Sequence, residues 1–294
     1  MEVNMTDVTV IGLGQMGFAL ADLMLRAGKS VSLWNRSRDK AAPLVIRGAI
    51  FHETPAAAIA ASPVALICVY DYDAARGILG SDGVAKAVRD RLVVNLGTGS
   101  PEDAREAESA ITRQGGRYLD GAIQAAPSQM GEAGTPILIS GPETDFAQAG
   151  PLLRILAGNL VHLGDRIDAA AFMDLATLSY VYGAYAGFLH GARIAETMGI
   201  SVEAFGGIVS DISPSFGAFF KHQGGVIQSG NFAVSESPMR ISISAVERIL
   251  STSERLGLNT EMPALFNRWL QEANRANLAD EELAAMIKIL RTKK

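Results

Sequence analysis

The chain has 294 residues, 48% of them hydrophobic and 19% charged, a balance that excludes disorder and allows two domains around a large core. A formal charge of -5 supplies no basic footprint for nucleic acid. Cys68 is the only cysteine, which excludes an intramolecular disulfide, and its place in the apolar run Val64–Val69 predicts a buried thiol.

Taken in chain order, the first half alternates short apolar runs with amphipathic stretches. Strands are predicted at Val8–Gly12, Val31–Trp34, Val64–Val69, Leu92–Asn95 and Ile137–Ser140. Helices are predicted at Phe18–Ala27, Lys40–Arg47, Pro55–Ala61, Ala74–Leu79 and Pro101–Gln114. Such alternation predicts an α/β fold, a doubly wound and mostly parallel sheet covered on both faces. Beyond Gly164 the strand signals stop, and helices are predicted at Ala169–Met198, Val202–Val209, Phe216–Ile227, Met239–Leu256, Pro263–Asn277 and Glu281–Arg291. The predicted domains are therefore 1–166, a Rossmann domain, and 167–294, an all-α domain, with no low-complexity linker between them.

Ala169–Leu189 is 21 residues long with a single charge, Asp174, and so meets the length criterion for a membrane span. That charge and the small and hydroxylated residues through its middle favour a helix buried between domains or subunits instead. No basic-then-apolar leader precedes the first strand, so a cytoplasmic location is expected.

Gly12-Leu13-Gly14-Gln15-Met16-Gly17 has GxGxxG spacing, follows an apolar strand and opens a helix. Glycines there permit a tight turn and close backbone approach, and the helix N-terminus presents N–H groups to a pyrophosphate, so dinucleotide binding is expected. An NAD site usually carries an acid at the end of the second strand. This chain has Asn35, Arg36, Ser37 and Lys40 there, a neutral and cationic set suited to a 2′-phosphate, which predicts NADPH.

GLGQMG together with WNRSRDK resembles the β-hydroxyacid dehydrogenase superfamily, and within it the imine reductase and reductive aminase family. The resemblance extends along almost the whole chain. Asn95–Pro101 is similar to the family's NLTSGTP-like loop, Asp120–Pro127 to its DGAIMAVP-like segment, and Phe172–Ala176 followed by Tyr182-Gly183 to its YDLALL…YG helix. It implies reduction of a C=N bond with NADPH, possible reductive amination, and a homodimer with exchanged C-terminal helices. It also implies a cofactor set of Gly12, Leu13, Gly14, Gln15, Met16, Asn35, Arg36, Ser37, Lys40, Val69, Tyr70, Asn95 and Thr98. Asp174 and Tyr182 are the implied catalytic residues, with Thr98, Ile123, Gln124 and Leu178 beside the substrate; Gln124 departs from the Met often found in the family.

The parent dehydrogenases oxidise hydroxy acids with a lysine on the first long helix and a glycine-rich turn for the substrate carboxylate. Here Asp174 stands near the lysine's position, Ala125-Ala126 replaces the glycine pair, and no Lys or Arg occurs between Ile167 and Ala192. A lone acid in an apolar helix suits an iminium, either as an electrostatic partner or, with a raised pKa, as a proton donor. A 3-hydroxy-acid dehydrogenase and a noncatalytic NADPH-binding protein are the alternatives. The histidines His52, His162, His190 and His222 have no ligand spacing, and no metal site is predicted.

Overall fold

A computed structural model of the protein describes residues 5–291. The strands are β1 (Val8–Ile11), β2 (Val31–Trp34), β3 (Ile50–Phe51), β4 (Val64–Ile67), β5 (Leu92–Asn95), β6 (Arg117–Ile123), β7 (Pro136–Ser140) and β8 (Asn159–His162). They form one sheet in the order β3-β2-β1-β4-β5-β6-β7-β8, parallel except for the antiparallel pairing of β6 with β7. The strand order reverses direction between β1 and β4, which opens a crevice at their C-terminal ends.

Seven helices cross between these strands: α1 (Gln15–Arg26), α2 (Ala42–Ile46), α3 (Pro55–Ala60), α4 (Tyr72–Leu79), α5 (Val84–Ala87), α6 (Pro101–Arg113) and α7 (Glu143–Leu156). Their starts have local causes. Asp71 caps α4 by accepting the Ala74 N–H, and Ser100 and Asp103 form a reciprocal capping box that opens α6 behind Pro101. The central strands β1, β4 and β5 are buried along their whole length, as a sheet covered on both faces requires.

The remaining helices are α8 (Ala169–Thr197), α9 (Val202–Ser229), α10 (Met239–Arg255), α11 (Glu261–Arg275) and α12 (Ile287–Leu290). The chain divides into two compact units, Met1–Ser179 and Tyr180–Lys294, with the division falling inside α8. The second unit has its own core, in which Met239, Ile243, Leu270 and Ala273 are buried. Among the described residues, no helix is long and apolar enough to cross a membrane.

Three sequence expectations need correcting. Val202–Val209 and Phe216–Ile227 are parts of one helix, α9, which runs through Pro214. Proline removes one helical hydrogen bond, and here the Ser213 and Ser215 hydroxyls donate to the Val209 and Ile212 carbonyls at 2.6 and 2.7 Å around it. Glu281–Arg291 is a 3₁₀ turn, Leu283–Met286, followed by the short α12. The strands β3, β6 and β8 and the helices α5 and α7 were not anticipated.

Candidate active site

The glycine turn after β1 lies at the crevice. Gly12 has φ +92°, and a Cβ there would meet the Cys68 carbonyl oxygen at 2.3 Å; a Cβ on Gly17 would lie 2.0 Å from the Gly12 oxygen. The first and third glycines are thus fixed by the protein's own packing. A Cβ on Gly14 would meet nothing within 4 Å, so the fold itself does not demand this glycine. Close approach of a ligand to the backbone at the start of α1 does account for it.

Gly12, Leu13, Gly14, Gln15, Met16, Asn35, Arg36, Val69 and Tyr70 all line one cleft of about 650 Å³, together with Trp34, Pro55, Ala74 and Ile78. Asn35 bridges the ends of β1 and β2: its Oδ1 accepts the Leu13 N–H at 2.9 Å and its Nδ2 donates to the Ser37 carbonyl at 2.9 Å. Its side chain is therefore committed to holding the glycine turn. The exposed cations differ in their engagement. Arg38 pairs with Glu53 and lies over the Phe51 ring, whereas Arg36 and Lys40 have no ion pair among the described residues. Lys40 lines an opening beside Leu13, Gly14 and Gln15. Two unpaired cations next to an open glycine turn, with no carboxylate at the end of β2, suit a 2′-phosphate dinucleotide.

A smaller cavity of about 190 Å³ shares Met16, Cys68 and Val69 with that cleft and is completed by Leu96, Gly97, Thr98, Ala122, Ile123 and Asp174. Its wall comes from the C-terminal ends of β4, β5 and β6 and from the first turns of α8. Asp174 is buried, with 7% exposure, and is the only charged residue of the lining. Arg166, the arginine nearest to it in sequence, is engaged elsewhere and pairs with Asp168, as does Arg105. Gln124 Nε2 donates to Asp174 Oδ1 at 2.5 Å, and the Thr177 hydroxyl donates to Gln124 Oε1 at 2.7 Å. Cys68 is buried, and that burial pushes its thiol up to about 12, so it is a neutral wall of the cavity.

A second buried polar cluster, within reach of the Asp174 charge, has no predicted role. Tyr72 donates to Asp120 Oδ1, and the Tyr118 phenol lies 3.4 Å from that of Tyr72. Burial pushes the Asp120 carboxyl up to about 7, opposed by the two phenols and reinforced by the charge of Asp174. The cluster also shapes the loop above it, where a Cβ on Gly99 would enter the Tyr72 ring at 2.0 Å.

Asn95, expected among the cofactor ligands, is fully buried at the end of β5, where its Oδ1 accepts the Gly97 N–H at 3.1 Å. It supports the loop that carries Thr98. Leu178 is half-buried on α8 and lines neither space. Tyr182 belongs to the second unit, where its side chain is 68% exposed. Thr177 was missed by sequence reasoning. A hydroxyl three residues beyond the single charge of the apolar stretch Ala169–Leu189 was the available signal.

Residues 7–164 match the family model for the NAD binding domain of 6-phosphogluconate dehydrogenase, and residues 167–292 match that for the NADPH-dependent reductive aminase-like C-terminal domain. The chain is 29% identical to the NADPH-dependent reductive aminase of Aspergillus oryzae, covering 98% of both chains. Among solved structures it is similar to the reductive aminase from Aspergillus terreus in complex with NADPH and ethyl levulinate, at TM-score 0.89 and 30% identity over 98% of this chain and 100% of the other. The imine reductase from Myxococcus stipitatus in complex with NADP+ follows at TM-score 0.88 and 28% identity, over 97% and 100%.

Proposed function

Because this chain belongs to the imine reductase and reductive aminase family, we propose that it is an NADPH-dependent oxidoreductase that reduces a C=N bond to an amine. The observation that carries this reading is the lone buried Asp174 in a cavity that shares Met16, Cys68 and Val69 with the nucleotide cleft, with no Lys, Arg or His in the cavity lining. A hydroxy-acid substrate would need a cationic or N–H-rich partner for its carboxylate, whereas an iminium needs an anion.

When bound, the cofactor supplies a hydride. The open backbone at Gly14 and the free cations Arg36 and Lys40 would hold its phosphates, with Asn35 keeping the turn in shape. Asp174 would stabilise positive charge on the substrate nitrogen or donate a proton to it. Thr98, Ile123 and Gln124 would border the substrate, and Leu178 and Tyr182, on the same helix as Asp174, would be its further substrate and catalytic residues. The domains read best as a nucleotide-binding part at 1–166 and a substrate and dimerisation part at 167–294.

We read the active form as a homodimer. On α8, Phe172, Leu175, Tyr180, Val181, Tyr185 and Leu189 are each 46–56% exposed, and a helix with exposed apolar side chains all round it favours a second copy. A cytoplasmic location, with Cys68 reduced, suits this activity. Steady-state assays with NADPH and a cyclic imine, set against NADP+ and a 3-hydroxy acid, test the reaction. Turnover of the hydroxy acid alone would overturn the proposal, and a monomer by sedimentation at micromolar concentration would overturn the dimer.

A further inference from the structure

Asp174 does not stand free in its cavity. Its Oδ1 is occupied by Gln124 Nε2 at 2.5 Å, while Oδ2 has no hydrogen bond among the described residues and is not among the buried polar atoms left without one, so it is the accessible oxygen of a side chain that lines the cavity. The assignment of the amide follows from chemistry. A carboxylate oxygen only accepts, so the amide nitrogen must face it, and the amide oxygen then faces a donor, the Thr177 hydroxyl at 2.7 Å.

Both partners are themselves anchored. Gln124 follows directly on β6, and its backbone N–H donates to the Pro136 carbonyl at the start of β7 at 3.0 Å. Thr177 is held by α8, and its single hydroxyl proton has three acceptors in reach, of which Gln124 Oε1 at 2.7 Å is nearer than the Asp174 and Met173 carbonyls at 2.9 and 3.1 Å. Sheet and helix are thereby joined through a single side-chain amide, and that amide ends on the acid.

We propose that Gln124, held by Thr177, is a positioning residue that orients the Asp174 carboxylate with one oxygen left for the substrate, making the pocket favour substrates that carry permanent positive charge at nitrogen. This rests on the reading of the site as one for C=N substrates. The bond from the Gln124 amide limits rotation of the carboxylate. In a small, mostly apolar space whose lining holds no other formal charge, a fixed carboxylate attracts a cation far more strongly than it would in water. A substrate already bearing a quaternary iminium nitrogen requires no proton, so an acid held as its carboxylate suits it.

The test is binding, measured by calorimetry on the NADP+-saturated protein with the N,N-dimethylpiperidinium ion as charged probe and cyclohexanone as neutral one. Gln124→Met should weaken the ion roughly tenfold more than it changes cyclohexanone, and Thr177→Val should have a smaller effect of the same sign. If Gln124 acts through Asp174, Gln124→Met in an Asp174→Asn background should cost nothing further, since the two residues act as one unit. Failure of the wild type to bind the ion, equal losses for both probes, or additive effects in the double variant would each overturn the proposal. Turnover is scored separately: a wild type that reduces no imine but binds the ion in this Gln124-dependent way would end the catalytic reading and leave the positioning role standing.

Discussion

Asn35 Oδ1 accepts the Leu13 N–H at 2.9 Å, so the residue at the ribose position of the second strand is spent on the glycine turn of the first. This separates two contributions to cofactor binding. Asn35→Ala leaves the Leu13 amide unpaired and loosens the turn, so it should weaken NADPH and NADH by similar factors. Arg36→Ala removes a free cation from the cleft lining and should weaken NADPH by about ten- to a hundredfold while NADH changes little. Dissociation constants for both cofactors with both variants check the contrast; an equal loss of NADPH and NADH in Arg36→Ala would end the assignment of that residue to the 2′-phosphate.

Gly14→Ala and Gly17→Ala should fail in different ways. A Cβ at Gly14 meets nothing of the protein within 4 Å, so melting should stay close to that of the wild type while cofactor affinity falls. A Cβ at Gly17 collides with the Gly12 oxygen at 2.0 Å, so that variant should lose stability itself. Thermal melts without cofactor and a fluorescence titration with NADPH distinguish the two.

Asp174→Ala should lower kcat for imine reduction by roughly 10² to 10⁴ and leave NADPH affinity near wild type, since the residue lines the cavity and not the nucleotide cleft. Comparing a neutral imine with an N-alkyl iminium divides the possible roles. Equal sensitivity points to charge stabilisation, and a loss confined to the neutral imine points to proton donation.

Asp120 should make the fold less stable as pH rises. Its carboxyl is pushed up to about 7 in the folded protein by burial, so between the unfolded value of 3.8 and about 7 the folded state holds a proton that the unfolded state has released. Stability therefore falls across that window and levels off above it. Asp120→Asn should abolish the slope and gain on the wild type at pH 8 relative to pH 4, by on the order of 2 to 4 kcal/mol. Urea unfolding at the two pH values measures it.

Glu282 should behave oppositely. Its carboxylate accepts the Ser235 and Glu236 N–H groups at 2.7 and 2.8 Å and the Ser235 hydroxyl at 2.8 Å. Against the opposing effect of burial, these bonds hold it down to about 2. The resulting stability is fully present above about 4.5 and is lost as pH falls toward about 2. Glu282→Gln should cost on the order of 2 kcal/mol at pH 7, with the difference from wild type shrinking in acid.

The sequence made some of this legible for physical reasons. Strands β1, β2, β4 and β5 are short runs in which only Thr9, Ser32 and Asn95 are polar, because the sheet is covered on both faces. In β6 the run is interrupted by Asp120, a buried carboxyl satisfied by tyrosines at positions 72 and 118, and nothing local announces such partners. Helix α7 carries Gly150-Pro151 in its interior, and α9 carries Pro214; both read as breaks where the structure continues. At the site, GxGxxG and the isolated acid Asp174 stand out by type and spacing. The bond from Gln124 to Asp174 spans 50 residues, and that from Leu13 to Asn35 spans 22, so each becomes visible only once the sheet brings strand ends together.

The exposed apolar side chains of α8 have a consequence beyond assembly. If a second copy covers them, folding and association draw on the same free energy, and stability becomes a function of concentration by mass action. Dilution then acts as a denaturant. The melting temperature of this protein would rise with its own concentration, and a substitution far from the nucleotide, such as Val181→Lys, would silence the enzyme most completely where it is scarcest.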